Sequence, residues 1–268
     1  RRYQCTHDAW QRLMRRRHYI LTGIIAYFVF LVATVPAAPV ISIVEDRIPV
    51  TISNVSGTVW SGRASAITTN KNLSLKNVEW SFLTWRLLLA SIAINVNAEF
   101  NGNPIDARLS TGISGNLSVD DLNMKLDAAD VASLASLPLG ELSGIFQLHI
   151  DNAYIEQGLV PRVNGTLTWN QASVTIAERA ELGNVSVLIN EKDESPLSAS
   201  ISNKGGHLAL NGTFTTSAQG EYSLQLSMKP NATASSNLSS SIAMFARKQS
   251  NGEFIFNNKG NLKQLGLM

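Results

Sequence analysis

The chain has 268 residues, of which 44% are hydrophobic and only 16% are charged, and its formal net charge is +2. Because soluble chains carry about 25% charged residues, this composition excludes a highly charged disordered protein, and the small net charge argues against a dedicated nucleic-acid binder. The charge is also uneven. Six arginines and one acid give residues 1–40 a net charge of +5, whereas 16 basic and 19 acidic residues give residues 41–268 a net charge of −3.

The first predicted element is a membrane-spanning helix. Residues 19–44 are 26 consecutive uncharged residues, and their apolar part, Tyr19–Val40, is long enough for the roughly 20 residues that a helix needs to cross a bilayer. The preceding arginines predict a cytoplasmic basic tail over residues 1–18 and export of everything after the helix. The alternative is a signal peptide cleaved after Ala38, but Pro39 and the length of the apolar run favour a retained anchor.

The distribution of cysteine agrees with this division. The single cysteine, Cys5, lies in the predicted tail, and residues 41–268 contain none. A packed core rather than disulfides must therefore hold the exported part together. Because an exported eukaryotic region of this size without cysteine would be unusual, we expect a bacterial cell, with the tail in the cytoplasm and the remainder in the periplasm.

The exported part is predicted to consist mainly of antiparallel β-strands. Hydrophobic residues alternate with polar ones, which is typical of strands that have one buried and one wetter face. Asn-Gly and related pairs between these segments are typical turn residues. The clearest alternating segments are Ile92–Phe100, Leu122–Leu126, Phe146–Ile150, Val185–Ile189, Tyr222–Met228 and Phe254–Phe256.

A few short helices are predicted among the strands. Ser81–Ala90 is apolar without alternation, and Ser235–Arg247 has hydrophobic residues at helical spacing. A third helix is predicted over Asp130–Leu137, with Asp130 as its N-cap.

An internal repeat predicts that the exported part is made of two similar halves. Val55–Ser65 resembles Val163–Ser173, and each segment precedes an alternating strand, a short helix and another strand. The halves are predicted over residues 41–158 and 159–268. The alternative is that strand and turn composition alone produces this weak self-similarity.

The sequence predicts no catalytic, cofactor-binding or metal-binding residue. The four histidines are scattered, and neither zinc-ligand spacing nor a phosphate-binding loop is present. The densest acidic group is Asp120-Asp121 with Asp127 and Asp130, and we expect a turn at the end of a strand there.

Two groups of aromatic residues need an explanation. Trp60, Trp80 and Trp169 lie on predicted strands, where buried structural anchors are the usual case. Trp85 begins an exported apolar segment that continues through Leu87, Leu88 and Leu89. This segment is predicted to be a buried helix or a contact with the membrane or a partner protein.

These motifs resemble the type II secretion system protein N family. The resemblance rests on the basic tail, the helix ending in Leu31–Ala38, the segment Val55–Ala64, the tryptophan strand Val78–Trp80 before Leu87–Leu89, and the second motif Gly165–Ala172. It implies a bitopic accessory protein of the inner membrane that works with platform proteins of the machine exporting folded proteins. The family is similar to β-rich proteins of the AsmA type, which implies an elongated rolled sheet and makes lipid a possible partner.

Three functions follow from these observations. The leading one is a structural subunit of the secretion machine, and the alternative is a membrane-anchored β-groove protein that handles lipid or another hydrophobic ligand. The third, an envelope hydrolase, would have to use His149 or His207, which are the only exported histidines.

Overall fold

The computed structural model describes residues 20–45, 48–69, 73–112, 115–135, 141–156, 159–175, 179–192 and 195–265. The predicted basic tail, residues 1–18, lies outside this range. Helix α1 covers residues 20–33, and a turn separates it from the next helix. The remaining helical elements are α2 (Ala37–Glu45), the 3-10 helix η1 (Thr84–Leu89), α3 (Ala128–Ala135), α4 (Ser236–Ala243) and the 3-10 helix η2 (Leu262–Leu265). Over the described residues, no helix combines the length and apolarity needed to cross a membrane.

The strands form one antiparallel sheet in which almost every strand pairs with its neighbours in sequence. At one edge β1 pairs with β3, and β2, which also pairs with β3, lies off this strand order. At the other edge β13 pairs with β15, and β14 lies beyond β15. The strands are β1 (Val50–Ser53), β2 (Ser56–Gly57), β3 (Ser61–Thr69), β4 (Ser74–Phe82), β5 (Ile92–Phe100), β6 (Asn103–Thr111), β7 (Leu117–Asp127), β8 (Glu141–Ile155), β9 (Arg162–Thr175), β10 (Arg179–Lys192), β11 (Ser195–Lys204), β12 (Leu208–Thr216), β13 (Glu221–Pro230), β14 (Arg247–Lys248) and β15 (Phe254–Asn261). The predicted β-rich, antiparallel fold with few helices is confirmed.

The strand register explains the alternating sequence. Because side chains alternate across a strand, residues that pair in register line one face of the sheet, and here one such row is apolar from β5 to β15. A parallel row on the other face is mostly polar and contains Asn97, Asp106, Asn123 and His149. The apolar row consists of Ala98, Ile105, Met124, Leu148, Leu167, Val187, Ile201, Gly212, Leu226 and Phe256.

Two clusters of buried hydrophobic residues lie towards the two edges of the sheet. One cluster surrounds Ala64, Val78 and Ala98, and a second surrounds Phe254 and Ile242. Between them the apolar row is half-buried. The chain exposes 17886 Å², about one and a half times the roughly 11,000 Å² of a compact monomer of this mass. The fold is built on one continuous 15-stranded sheet.

Several local predictions need correction. Asp120 and Asp121 lie within β7 rather than in a turn at its end, because β7 continues through a register irregularity at this point. Asp130 lies in the first turn of α3 and is not its N-cap, since α3 begins two residues earlier. The helix predicted over Ser81–Ala90 is limited to η1, and residue 247 of the helix predicted over Ser235–Arg247 belongs to β14.

The two segments of the sequence repeat adopt different local structures. Val55–Ser65 spans β2, a turn and part of β3, whereas Val163–Ser173 lies entirely within β9. The predicted boundary after residue 158 falls between β8 and β9, which pair along most of their length. The sheet is therefore continuous across this boundary.

Candidate functional site

The end of α1 is fixed to the beginning of the sheet by backbone and side-chain contacts. The Val59 N–H donates to the Val35 carbonyl (3.0 Å), and Pro36 pairs antiparallel with Thr58. The indole N–H of Trp60 donates to the Val32 carbonyl at 2.8 Å. The last carbonyls of a helix lack regular partners within the helix, and the Val32 carbonyl also accepts from the Val35 N–H at 3.4 Å, so Trp60 supplies its shorter hydrogen bond. Residue 37, at the start of α2, is 1% exposed.

Trp60 also connects this junction to β4. Its ring meets Phe82 edge to face at a centroid distance of 5.7 Å, and the Phe82 N–H donates to the Trp60 carbonyl at 2.7 Å. Trp80 donates its indole N–H to the Val59 carbonyl at 3.0 Å and covers Gly62, where a Cβ would lie 2.4 Å from the ring. Both tryptophans are half-buried, and their hydrogen bonds give them structural roles.

Trp169 has a comparable structural role in the middle of the sheet. Its indole N–H donates to the Ser143 carbonyl at 3.0 Å, and its ring stacks on Phe146 at a centroid distance of 4.9 Å. The structure therefore places Trp60, Trp80 and Trp169 in structural contacts, although none of them is fully buried.

The segment that follows β4 forms η1 instead of a tight hairpin turn. The Leu83 N–H donates to the Ala93 carbonyl at 2.8 Å, and η1 ends at Ala90, which has a positive φ of 54°. Trp85, Leu87 and Leu89 are 57%, 43% and 69% exposed. The side chain of Leu88 lies outside the described residues. Three of the four predicted contact residues thus present large apolar side chains to the surroundings.

The one charged residue of η1 is held by the sheet. Arg86 donates to Asp120 at 3.0 Å, and Ser110 donates to the same carboxylate oxygen at 2.9 Å. Asp120 lies at the irregularity of β7, where Arg108 pairs with Asp121 and the next pair skips one residue. The bulge therefore directs the Asp120 carboxylate towards Arg86, and the positive charge of η1 has an ion-pair partner.

More exposed apolar residues lie at the same end of the sheet as η1. Ile92 at the start of β5 pairs with Thr111 at the end of β6, which pairs with Leu117, which in turn pairs with Ile155. We call this end, where α1 also joins the sheet, the α1 end, and we define its exposed apolar residues as the apolar rim. The apolar rim consists of Trp85, Leu87, Leu89, Ile92, Leu117, Ile155 and Leu159.

The sequence pattern did not single out the rim residues outside η1. Ile92, Leu117 and Ile155 each look like the terminal member of an ordinary alternating strand. Only the strand register brings them to the same end of the sheet. The sequence shows only that β5 and β7 begin, and β8 ends, with a large apolar residue.

The opposite end of the sheet, which we call the α4 end, carries α3 and α4. Leu238 and Ile242 of α4 pack with Leu208, Met228 and Phe254, which lie at the ends of β12, β13 and β15. Ser235 is the N-cap of α4 and accepts a hydrogen bond from the Leu238 N–H at 3.1 Å. Helix α4 therefore covers Leu208, Met228 and Phe254, whereas Met244 and Phe245, which follow α4, are exposed.

The polar face does not bring the candidate catalytic residues together. His149 lies 2.7 Å from the Asn123 side-chain oxygen and 3.1 Å from Asp151, whereas His207 lies in a turn 4.0 Å from Glu181. In the parts of the chain that the structure describes, no three His, Cys, Asp or Glu side chains form a metal-binding group. Geometry therefore supports a contact surface more strongly than a reaction site.

Comparison with known proteins gives one match. The family model for the type II secretion system (T2SS), protein N matches residues 49–257, which cover most of the chain. No curated protein and no solved structure matches the chain.

Proposed function

Because the chain belongs to the type II secretion system protein N family, as its motifs predict, we propose that it is an accessory structural component in the bacterial inner membrane. In this proposal a single helix anchors the chain, the N-terminus is cytoplasmic, and the sheet lies in the periplasm. There it contacts other inner-membrane platform proteins of the secretion system and supports the export of folded proteins. The observation that carries the proposal is the family match over the sheet itself.

The apolar helix supports the proposed anchor. Residues 20–34 are exposed around the whole helix, including Phe30, which is 67% exposed. A helix that is apolar on every side is expected in an apolar environment, because water would otherwise contact its large side chains. Pro36 pairs with the sheet and residue 37 is buried, so the proposed membrane segment, Tyr19–Val40, meets the sheet near its C-terminal end.

The anchor can be tested by exchanging it. Residues 1–33 are replaced by a cleavable signal sequence in the full chain, in a bacterium that lacks its own copy of the gene. We expect release of the sheet into the periplasmic fraction and accumulation of exoproteins in the periplasm. The matched control replaces the same residues with an unrelated basic tail and membrane helix, which should restore both membrane attachment and secretion.

Two outcomes would contradict the proposal at different levels. Full secretion by the released sheet would show that the anchor is not required. Unchanged secretion after deletion of the whole gene would exclude an essential role in the secretion system.

The alternative, handling of lipid or another hydrophobic ligand, is favoured by one observation. The apolar row from Ala98 to Phe256 is continuous across the sheet and half-buried in its middle, and the exposed area is large for the mass. We expect native mass spectrometry of the gently extracted full chain to detect bound lipid if this alternative is correct. Lipid-free protein that retains its secretion function would exclude it.

A further inference from the structure

A series of contacts connects the end of α1, through Trp60 and Phe82, to the strand end from which η1 begins. Val32 of α1 accepts from Trp60, and the Trp60 ring packs on Phe82. Phe82 ends β4, and η1 begins two residues later. Two aromatic side chains therefore link the last turn of α1 to the end of β4, and η1 follows directly in the chain.

We infer that the apolar rim is a lipid-contact surface that seats the α1 end of the sheet on the periplasmic face of the inner membrane. This inference rests on the proposed membrane anchoring of α1 and adds a second point of attachment. On this surface, the side chains of Trp85, Leu87 and Leu89 would lie at the boundary between the lipid headgroups and the acyl chains. Their apolar parts would then leave water.

The distribution of exposed apolar residues supports this surface. Outside α1 and α2, most of the large apolar side chains that are exposed in the described chain lie at the α1 end of β4–β9. The α4 end has apolar residues too, but α4 covers Phe254 and Met228 there. Ile145, Met244 and Phe245 are exposed at the α4 end, which lies away from α1. The larger uncovered set is at the α1 end, beside the proposed anchor, and we infer that this set is covered from outside the sheet.

Charge favours a lipid surface over a protein partner as the cover. Arg86, the only charged residue of η1, is paired with Asp120 and directed towards β7. The described residues of the turn between β6 and β7 are Gly112, Gly115 and Asn116. Near Ile155 and Leu159, Glu156 is exposed and Arg162 pairs with Glu191 at 3.2 Å. The part of the described rim formed by η1, Ile92 and Leu117 offers no unpaired charge of the kind that gives a protein interface its register, whereas apolar contact with lipid needs none.

The inference can be tested with a fluorescent label at one rim position. Cys5 is the only cysteine, so Cys5→Ser gives a background into which Leu89→Cys is introduced and labelled with NBD. The matched control is Met244→Cys, because Met244 is an apolar residue at the α4 end that is 88% exposed. The full chain is reconstituted into vesicles of phosphatidylethanolamine and phosphatidylglycerol.

We expect the label at position 89 to have blue-shifted emission and several-fold stronger quenching by spin-labelled lipid than the label at position 244. Equal quenching at both positions would overturn the inference. In native membranes, a label at position 89 that is shielded from aqueous quencher but not quenched by lipid would also overturn it, because a protein partner would then cover the rim.

Alkaline carbonate extraction of the same samples separates this inference from the proposed anchor. Release of the chain from the membrane would contradict the anchor itself. Retention of the chain together with an aqueous label at position 89 would contradict only the lipid contact of the rim.

Discussion

The two ends of the sheet differ in how far their apolar residues are buried. At the α4 end, a capped helix packs on Phe254, which is 1% exposed, and the strands end inside a cluster of buried residues. At the α1 end, η1 leaves Leu89 69% exposed, and the strands end in the apolar rim. Burial therefore stabilises the α4 end of the sheet, whereas the α1 end leaves the large apolar side chains of the rim exposed.

The largest expected effect contrasts one apolar residue from each end. Phe254→Ala removes a buried ring beneath α4 and should lower the free energy of unfolding by about 3–5 kcal/mol. Leu89→Ala removes an exposed side chain and should change it by no more than about 0.5 kcal/mol. Denaturant unfolding of the detergent-solubilised full chain measures both, and hydrogen exchange should locate the loss in β13–β15. Similar losses for the two variants would remove the contrast between the ends.

The next prediction concerns packing at the junction with α1. Gly62→Ala would place a Cβ 2.4 Å from the Trp80 ring and 2.7 Å from the Ser56 carbonyl. Since the backbone cannot yield easily, we expect a loss of about 1–3 kcal/mol. The control is Gly112→Ala at the same end, where no atom lies within 4 Å of the added Cβ. An unaffected Gly62→Ala variant would mean that the junction is loosely packed, like the rim.

The six alternating segments named from the sequence fall within β5, β7, β8, β10, β13 and β15, whereas the candidate site was only partly predictable. The alternation over Ile92–Phe100 coincides with β5 because side-chain period alone determines it. The position of Asp120 in a bulge could not be predicted in this way, because it depends on the partners Ser110 and Arg86, which are distant in sequence. Leu117 likewise becomes part of a surface only when the register pairs it with Ile155.

A smaller effect is expected from the cap of α4. Ser235→Ala removes the acceptor of the Leu238 N–H and should cost about 1 kcal/mol, because the helix that covers the α4 end then begins with an unsatisfied group. Ser240→Ala is the matched control, since Ser240 is exposed within the same helix and alanine has the higher helix propensity. Thermal unfolding of the full chain measures both. Equal effects would indicate that the cap contributes nothing to coverage of this end.

The smallest predicted effect is a pH dependence at the turn before β15, also at the α4 end. Hydrogen bonds from the side chains of Ser227 and Asn251 lower the pKa of Glu253, because they favour its charged form. A lowered pKa in the folded state contributes stability at neutral pH, and this contribution is lost as the pH falls through the ordinary carboxyl range, about 4.3, and then through the folded pKa.

The denaturation midpoint of the unsubstituted chain should fall between neutral pH and a pH below the folded pKa of Glu253. In Glu253→Gln this fall should be smaller, because residue 253 no longer titrates. Ser227→Ala should move the pKa of Glu253 back towards its ordinary value, which NMR titration of the carboxyl carbon measures directly. An unchanged pKa in Ser227→Ala would contradict the assigned cause. Because Glu253 is only partly buried, solvent screens its interactions and the change should be the smallest of this series. Burial of Phe254 rather than the charge of its neighbour would then account for the stability of the α4 end.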